Sequence, residues 1–185
     1  MKEIFLFTSS TKTKVSKMVA VLTKSKTTHT ALCLNGKFDN MYTFGRKTLK
    51  VFPAGLVHEN IRTNVLHVQN RCYCQVFKLK VTDEEYQGIL TEIEKYEKEK
   101  EKYEYALLGA WCCFFRKRKV FKYKRFCSQF VANLLSDGGK IKLPFPPELM
   151  RPKDFLKLEN IENVYVGTIK DLAHKIDTNQ ISFTK

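Results

Sequence analysis

The chain has 185 residues, with 33 Lys+Arg against 19 Asp+Glu, and a formal net charge of +14. With 43% hydrophobic and 12% aromatic residues it is not a disordered polymer, and its length predicts one domain over 1–185 with a buried core. Eight Gly and five Pro exclude collagen-like and Pro-rich low-complexity architectures, and the longest apolar run, 106–115, is too short to cross a bilayer.

Residues 1–8 form a short apolar run that turns polar from Ser9, too short for the apolar region of a secretory signal and without a small-residue cleavage site. The sequence therefore predicts a cytoplasmic protein, and six irregularly spaced cysteines in that reducing setting read as thiols. A first strand is expected over 3–8, rich in Ile and Phe. Val15, Met18, Val19 and Leu22 then fall at i, i+3, i+4 and i+7, one apolar helical stripe. Residues 28–34 alternate, Asn35-Gly36 signals a turn, and 40–44 reads as the returning strand of a hairpin. The stretch 46–61, with Pro53 and Gly55, reads as a loop, and 63–69 and 73–81 as two further strands of an antiparallel sheet.

Thr82-Asp83-Glu84-Glu85 is a capping box that opens a helix carrying Tyr86, Ile89, Leu90, Ile93 and Tyr96 at helical spacing. The charged run 97–104 is solvated, and 105–115 is helical or buried. A short helix is expected over 128–135, with Asp137-Gly138-Gly139 supplying a left-handed exit. A small helix opening at Arg151-Pro152, a last strand over 163–168 and a terminal helix from Thr168 complete the chain. The predicted class is α+β, a single domain with an antiparallel sheet packed against helices.

The four histidines differ in setting. His58 and His67 have no metal-ligand spacing around them, and His174 sits where a helix-end histidine caps carbonyls. His29 begins a strand, beside the small residues Ala31 and Cys33 on its face. Cys33, Cys112 and Cys113 suit packing, and Cys72 and Cys74 share a strand face, a poor zinc geometry, so neither a metal nor a cofactor is expected. Cys127 stands directly before the 128–135 helix, where backbone N–H groups and nearby cations favour a thiolate and can hold an oxyanion. Such a cysteine can equally be a buried structural residue, and a nucleophile still needs a base.

Thr28-His29-Thr30-Ala31-Leu32, followed about a hundred residues later by Phe126-Cys127-Ser128-Gln129-Phe130-Val131-Ala132, resembles the circularly permuted NlpC-type papain-like hydrolases, relatives of the lecithin:retinol acyltransferase group. The segments from Met41 to Lys47 and from Gly55 to Asn60 are similar to a bacterial branch whose substrate is not settled, and the likeness runs in order over 3–168. The resemblance implies a permuted papain-like fold with Cys127 as nucleophile and His29 as general base. It also implies a third polar group on the following strand to orient the imidazole. Thr43 falls there, Asp39 lies in the hairpin turn, and Glu59, anionic and chemically the better partner, is the expected orienting residue. The implied activity is that of a thiol hydrolase, peptidase or acyltransferase working on an amide, thioester or ester through an acyl-enzyme.

Residues 116–125 carry seven Lys/Arg and no acid, whereas 82–104 hold nine acids and four lysines. The basic cluster, just ahead of Cys127, would bias the thiol toward thiolate and draw in an acidic or lipid substrate or an anionic membrane, with Trp111, Phe114 and Phe115 as apolar anchors. The alternative function is a non-catalytic binding protein of the same fold using that patch on an anionic membrane or nucleic acid. No nucleic-acid-binding motif accompanies it, which weighs against nucleic acid.

Overall fold

The structure, a computed structural model, describes residues 1–10, 25–47 and 54–183. The helix expected over Val15–Leu22 lies outside those residues. Six strands form one antiparallel sheet: β1 (Lys2–Ser9), β2 (His29–Cys33), β3 (Met41–Arg46), β4 (Ala54–Glu59), β5 (Tyr73–Val81) and β8 (Ile161–Thr168), in the order β4-β3-β2-β1-β5-β8. Strand β1 is central because its apolar residues serve both faces. Ile4 and Leu6 belong to one buried cluster, and Phe5 and Phe7 to the other.

The described residues form five helices, α1 (Asn64–Val68), α2 (Asp83–Lys98), α3 (Leu107–Phe114), α4 (Cys127–Asn133) and α5 (Ile169–Asp177), and all but α3 pack on the sheet. The first face packs Leu32, Phe44, Phe77 and Leu79 against Ile89 and Ile93 of α2 and Phe130 and Val131 of α4. The second packs Ala31, Cys33, Phe38 and Val76 against Leu66 of α1 and Ile169 and Leu172 of α5. The mixed α+β class and the antiparallel sheet packed by helices are as the sequence predicts. Among the described residues, no helix is long and apolar enough to cross a membrane.

The Thr82 capping box forms in full: Glu85 N–H donates to Thr82 Oγ1 at 3.1 Å and Thr82 N–H to Glu85 Oε2 at 2.7 Å. At the Asn35-Gly36 turn, Gly36 adopts φ +62°, and a Cβ there would lie 2.6 Å from Phe183 Cβ, so glycine serves both the backbone and the packing.

Three local readings are overturned. Part of the expected 46–61 loop is strand β4, whose Gly55 pairs with Gly45 and whose Glu59 pairs with Met41. Gly55 reads as a chain breaker, but β4 is a sheet edge, where interrupted alternation is tolerated. The expected strand over 63–69 is instead the helix α1. The segment closes its hydrogen bonds locally, His67 N–H donating to Thr63 O and Gln69 N–H to Leu66 O, and it buries Leu66 while Val68 stays exposed. The left-handed exit expected at Gly138-Gly139 is not made there. Helix α4 runs on through a π-turn at Leu134–Gly138, Gly139 keeps φ −79°, and Lys140 takes the left-handed conformation at φ +56°. Gly138 serves close packing: its backbone lies against Gly88 of α2, where a Cβ would come within 2.1 Å of Gly138 O.

Candidate active site

Helix α4 is the most buried helix in the fold, with every residue from Cys127 to Ala132 inside. Phe130 fixes it, its ring 5.0 Å from both Phe44 on β3 and Tyr96 on α2. Ser128 Oγ donates to Met150 O at 2.7 Å, tying the first turn to the C-terminal segment. Phe126 is the N-cap in extended conformation and offers no side-chain cap, so Cys127 is the first helical residue rather than the residue before the helix. Its side chain is 5% exposed, with Sγ 4.0 Å from the Thr28 carbonyl oxygen.

Thr28 leads directly into His29, the first residue of β2, which is held by pairing with Ser9 of β1. His29 Nε2–H donates to Glu59 Oε2 at 2.8 Å, and both side chains are 12% exposed. With Nε2 committed to Glu59, Nδ1 is the ring nitrogen left for the Cys127 thiol. Burial opposes charge on the imidazole. Against it act the Glu59 carboxylate, a hydrogen bond to Cys127, a hydrogen bond to Glu59 and the Cys127 charge, and together they hold His29 well above the ordinary histidine range.

The structure thus brings Cys127, His29 and Glu59 together from three segments far apart in the chain. It places the other two orienting candidates elsewhere. Thr43 Oγ1 is buried and donates to Thr30 O at 2.7 Å, so it braces β2 through its backbone. Asp39 is exposed and accepts from Asn35 Nδ2 at 3.3 Å, which is turn chemistry. Gly45 lies beside the pair, and a Cβ there would make ordinary contacts, 3.6 Å from Glu59 Oε1 and 3.7 Å from His29 Cε1. On the far side of Glu59, a cleft of about 290 Å³ is lined by Arg46, Lys47, His58, Glu97 and Lys100 among others, and neither His29 nor Cys127 borders it. His58 there bonds Asn40 Oδ1 and Glu97 Oε1, a second histidine–carboxylate pair.

Sequence reasoning missed Tyr105. A two-residue parallel pair, β6 (Glu104–Tyr105) with β7 (Lys124–Arg125), sets Tyr105 opposite Arg125, two residues before Cys127. Tyr105 neighbours Cys127; burial first, and then the adjacent sulfur, push its hydroxyl well above the usual tyrosine range. A phenol so placed keeps its proton through the neutral range. Its only trace in the sequence is its place just before an apolar run.

The 116–125 cluster is not one electrostatic unit. Arg116 Nη2 bonds Asp154 Oδ1 at 2.9 Å and its Nη1 donates to Leu149 O at 2.6 Å. Arg118 pairs with Glu148 and Lys124 with Glu104. Arg125 donates to Tyr96 Oη at 3.1 Å and to Phe121 O at 2.7 Å. Four of the seven cations therefore serve packing and local pairing, and Lys117, Lys119 and Lys122 are left without a carboxylate partner among the described residues. No protein-family model matches the chain, and no curated protein matches it.

Proposed function

We propose that this protein is a cysteine hydrolase or acyltransferase of the permuted papain-like type, as its resemblance to the NlpC-type hydrolases implies. The observation that carries this reading is that the His29 imidazole bonds the Glu59 carboxylate while the Cys127 sulfur lies 4.0 Å from the carbonyl oxygen of Thr28, the residue next to His29. Nucleophile, base and orienting acid in that relation are the parts a thiol acyl transfer needs. The histidine precedes the cysteine in the chain, the order that distinguishes the permuted hydrolases from papain.

Cys127 sulfur attacks an acyl carbonyl carbon, a C–S bond forms as the carbonyl π pair moves to oxygen, and His29 holds the thiol proton. Collapse of the tetrahedral species expels the amine, alcohol or thiol, which takes that proton from His29. Water or another acceptor, deprotonated by His29, then attacks the acyl-enzyme and returns the thiol. Glu59 fixes the ring and favours the imidazolium formed in each half. The Tyr105 hydroxyl is a donor beside the reacting sulfur, available to the developing negative charge. A cytoplasmic setting belongs to the same reading, supported by six cysteines that are all free thiols.

The test is intact-mass analysis after incubation with p-nitrophenyl butyrate. The expected result is one butyryl adduct on Cys127 that decays with time, is absent in Cys127→Ala, and forms at least about tenfold more slowly in His29→Ala. Acylation spread over several cysteines, or unchanged by His29→Ala, would refute the reading.

A further inference from the structure

Helix α3 was expected to be helical or buried, and it is helical but only partly buried. Gly109 and Cys113 face inward. Leu107, Leu108 and Trp111 are 52%, 51% and 43% exposed, and Phe115 just beyond the helix is 51% exposed. The rings are organised: Trp111 stacks on Phe114 at 6.1 Å and 15°, and Phe115 meets both edge-on at 5.4 and 5.1 Å. The chain then turns back, Lys117 N–H donating to Cys112 O, and Phe121 returns to lie beside Gly109. The loop between them therefore runs alongside the helix. Val120 on it is 62% exposed. Lys119 and Lys122 lie over the Phe121 and Tyr123 rings at 5.6 and 5.1 Å, and with Lys117 they lack a carboxylate partner among the described residues.

The geometry points to α3 and the loop after it as a surface that docks on an anionic lipid bilayer. Leu107, Leu108, Trp111 and Phe115 enter the boundary between headgroups and acyl chains, and Lys117, Lys119 and Lys122 meet the headgroups. A helix with exposed Leu, Trp and Phe on one side and lysines beside it has the composition that lies in a membrane interface. Each lysine near an anionic leaflet adds attraction, and the chain's net charge of +14 acts in the same direction. Charge decides against the other occupants. Two copies meeting through this face would bring unpaired lysines together in a protein already strongly positive. A nucleic acid would satisfy the lysines and leave Leu107, Leu108 and Val120 against phosphate and water. Only a partner with an anionic skin over an apolar interior matches both halves. The docking surface adjoins the candidate site, since Phe126, next to Cys127, lies against Gly109, but docking is independent of catalysis.

The protein carries its own reporter, because Trp111 is its single tryptophan. Full-length protein is titrated with vesicles of phosphatidylcholine containing about one-third phosphatidylserine, and with vesicles of phosphatidylcholine alone. Trp111 emission is expected to shift to the blue with the anionic vesicles only, and to be quenched by lipids brominated along the acyl chains. The combined Lys117→Glu, Lys119→Glu and Lys122→Glu variant is expected to bind about a hundredfold more weakly. Leu107→Asp with Leu108→Asp is expected to bind at least about tenfold more weakly. A melting curve on each variant separates lost docking from lost fold. Emission that stays unshifted and open to aqueous acrylamide overturns the proposal, as does vesicle binding without quenching by brominated chains. A blue shift that appears with protein concentration in the absence of lipid overturns it too, and assigns the face to a second copy.

Discussion

Replacing Arg116 with Met removes the guanidinium both from a buried carboxylate and from the Phe145 ring, whose centroid lies 4.1 Å from Arg116 Cζ, while keeping an apolar side chain of similar length. Asp154 is 1% exposed, and its two oxygens are used by Arg116 Nη2 and by the Arg151 N–H at 3.0 Å. Taking away the cation leaves a buried negative charge with one backbone donor, and the Leu149 carbonyl loses its guanidinium partner. Breaking such a pair from one side costs about 3–5 kcal/mol. The Arg116 side chain is 32% exposed, which places the expected cost near the lower end, about 3 kcal/mol. For a chain of this size that is a fall in Tm of about 6–12 °C. Thermal and urea unfolding of Arg116→Met and Lys117→Met form the comparison, and Lys117→Met should stay within about 0.5 kcal/mol of wild type. Combining Arg116→Met with Asp154→Asn should recover part of the loss, because no unpaired charge remains. Equal stability of the two single variants would refute the division of this basic stretch into structural and surface cations.

Glu59→Gln should move the His29 titration, followed by NMR of the imidazole, down toward the ordinary histidine range, because the Glu59 charge is the leading influence raising it. The sign for stability follows. His29 stabilises the fold below the unfolded histidine pKa, and that contribution fades as pH rises through the elevated native value, so Glu59→Gln should flatten this dependence. An unmoved titration would remove Glu59 from its orienting role. Gly88→Ala should destabilise by about 2 kcal/mol despite its better helix propensity, since the new Cβ would stand 2.1 Å from Gly138 O and 2.9 Å from Gly138 C; a rise in Tm would contradict the close crossing. Tyr105→Phe should slow butyryl transfer to Cys127 by about tenfold or more with an unchanged melting curve, and an unchanged rate would make the tyrosine a packing residue.

The elements legible in the sequence are those whose cause is local. Thr82 and Glu85 satisfy each other within one turn, β5 alternates on either side of its irregularity at Val76/Phe77, and Asn35-Gly36 fixes a turn whatever surrounds it. Strand β4 and helix α1 were misread because their state is set by neighbours. Gly55 becomes strand by pairing with β3, and Leu66 sits in a helix whose hydrogen bonds close locally and whose apolar side packs against the sheet. His29 and Cys127 carried short sequence contexts of their own, and Glu59 could be named by its charge, but Tyr105 owes its place to the pairing of β6 with β7 across nearly twenty residues. Charge counting erred in the same way. Seven cations in ten positions look like one patch, and only the positions of Asp154, Glu148, Glu104 and Tyr96 show which of them are spoken for.

The rate at which iodoacetamide alkylates Cys127, followed by mass spectrometry against pH in wild type and His29→Ala, tests the catalytic pair most directly. Burial pushes Cys74 and Cys113 up to about 12, so those thiols stay silent through the neutral range. The expected result is selective alkylation of Cys127, with the rate down by at least about tenfold in His29→Ala across the neutral range. Superimposed curves for the two proteins, both rising only near the ordinary thiol value of about 8.5, would show that the histidine does not act on the sulfur and that Cys127 is a structural residue of α4.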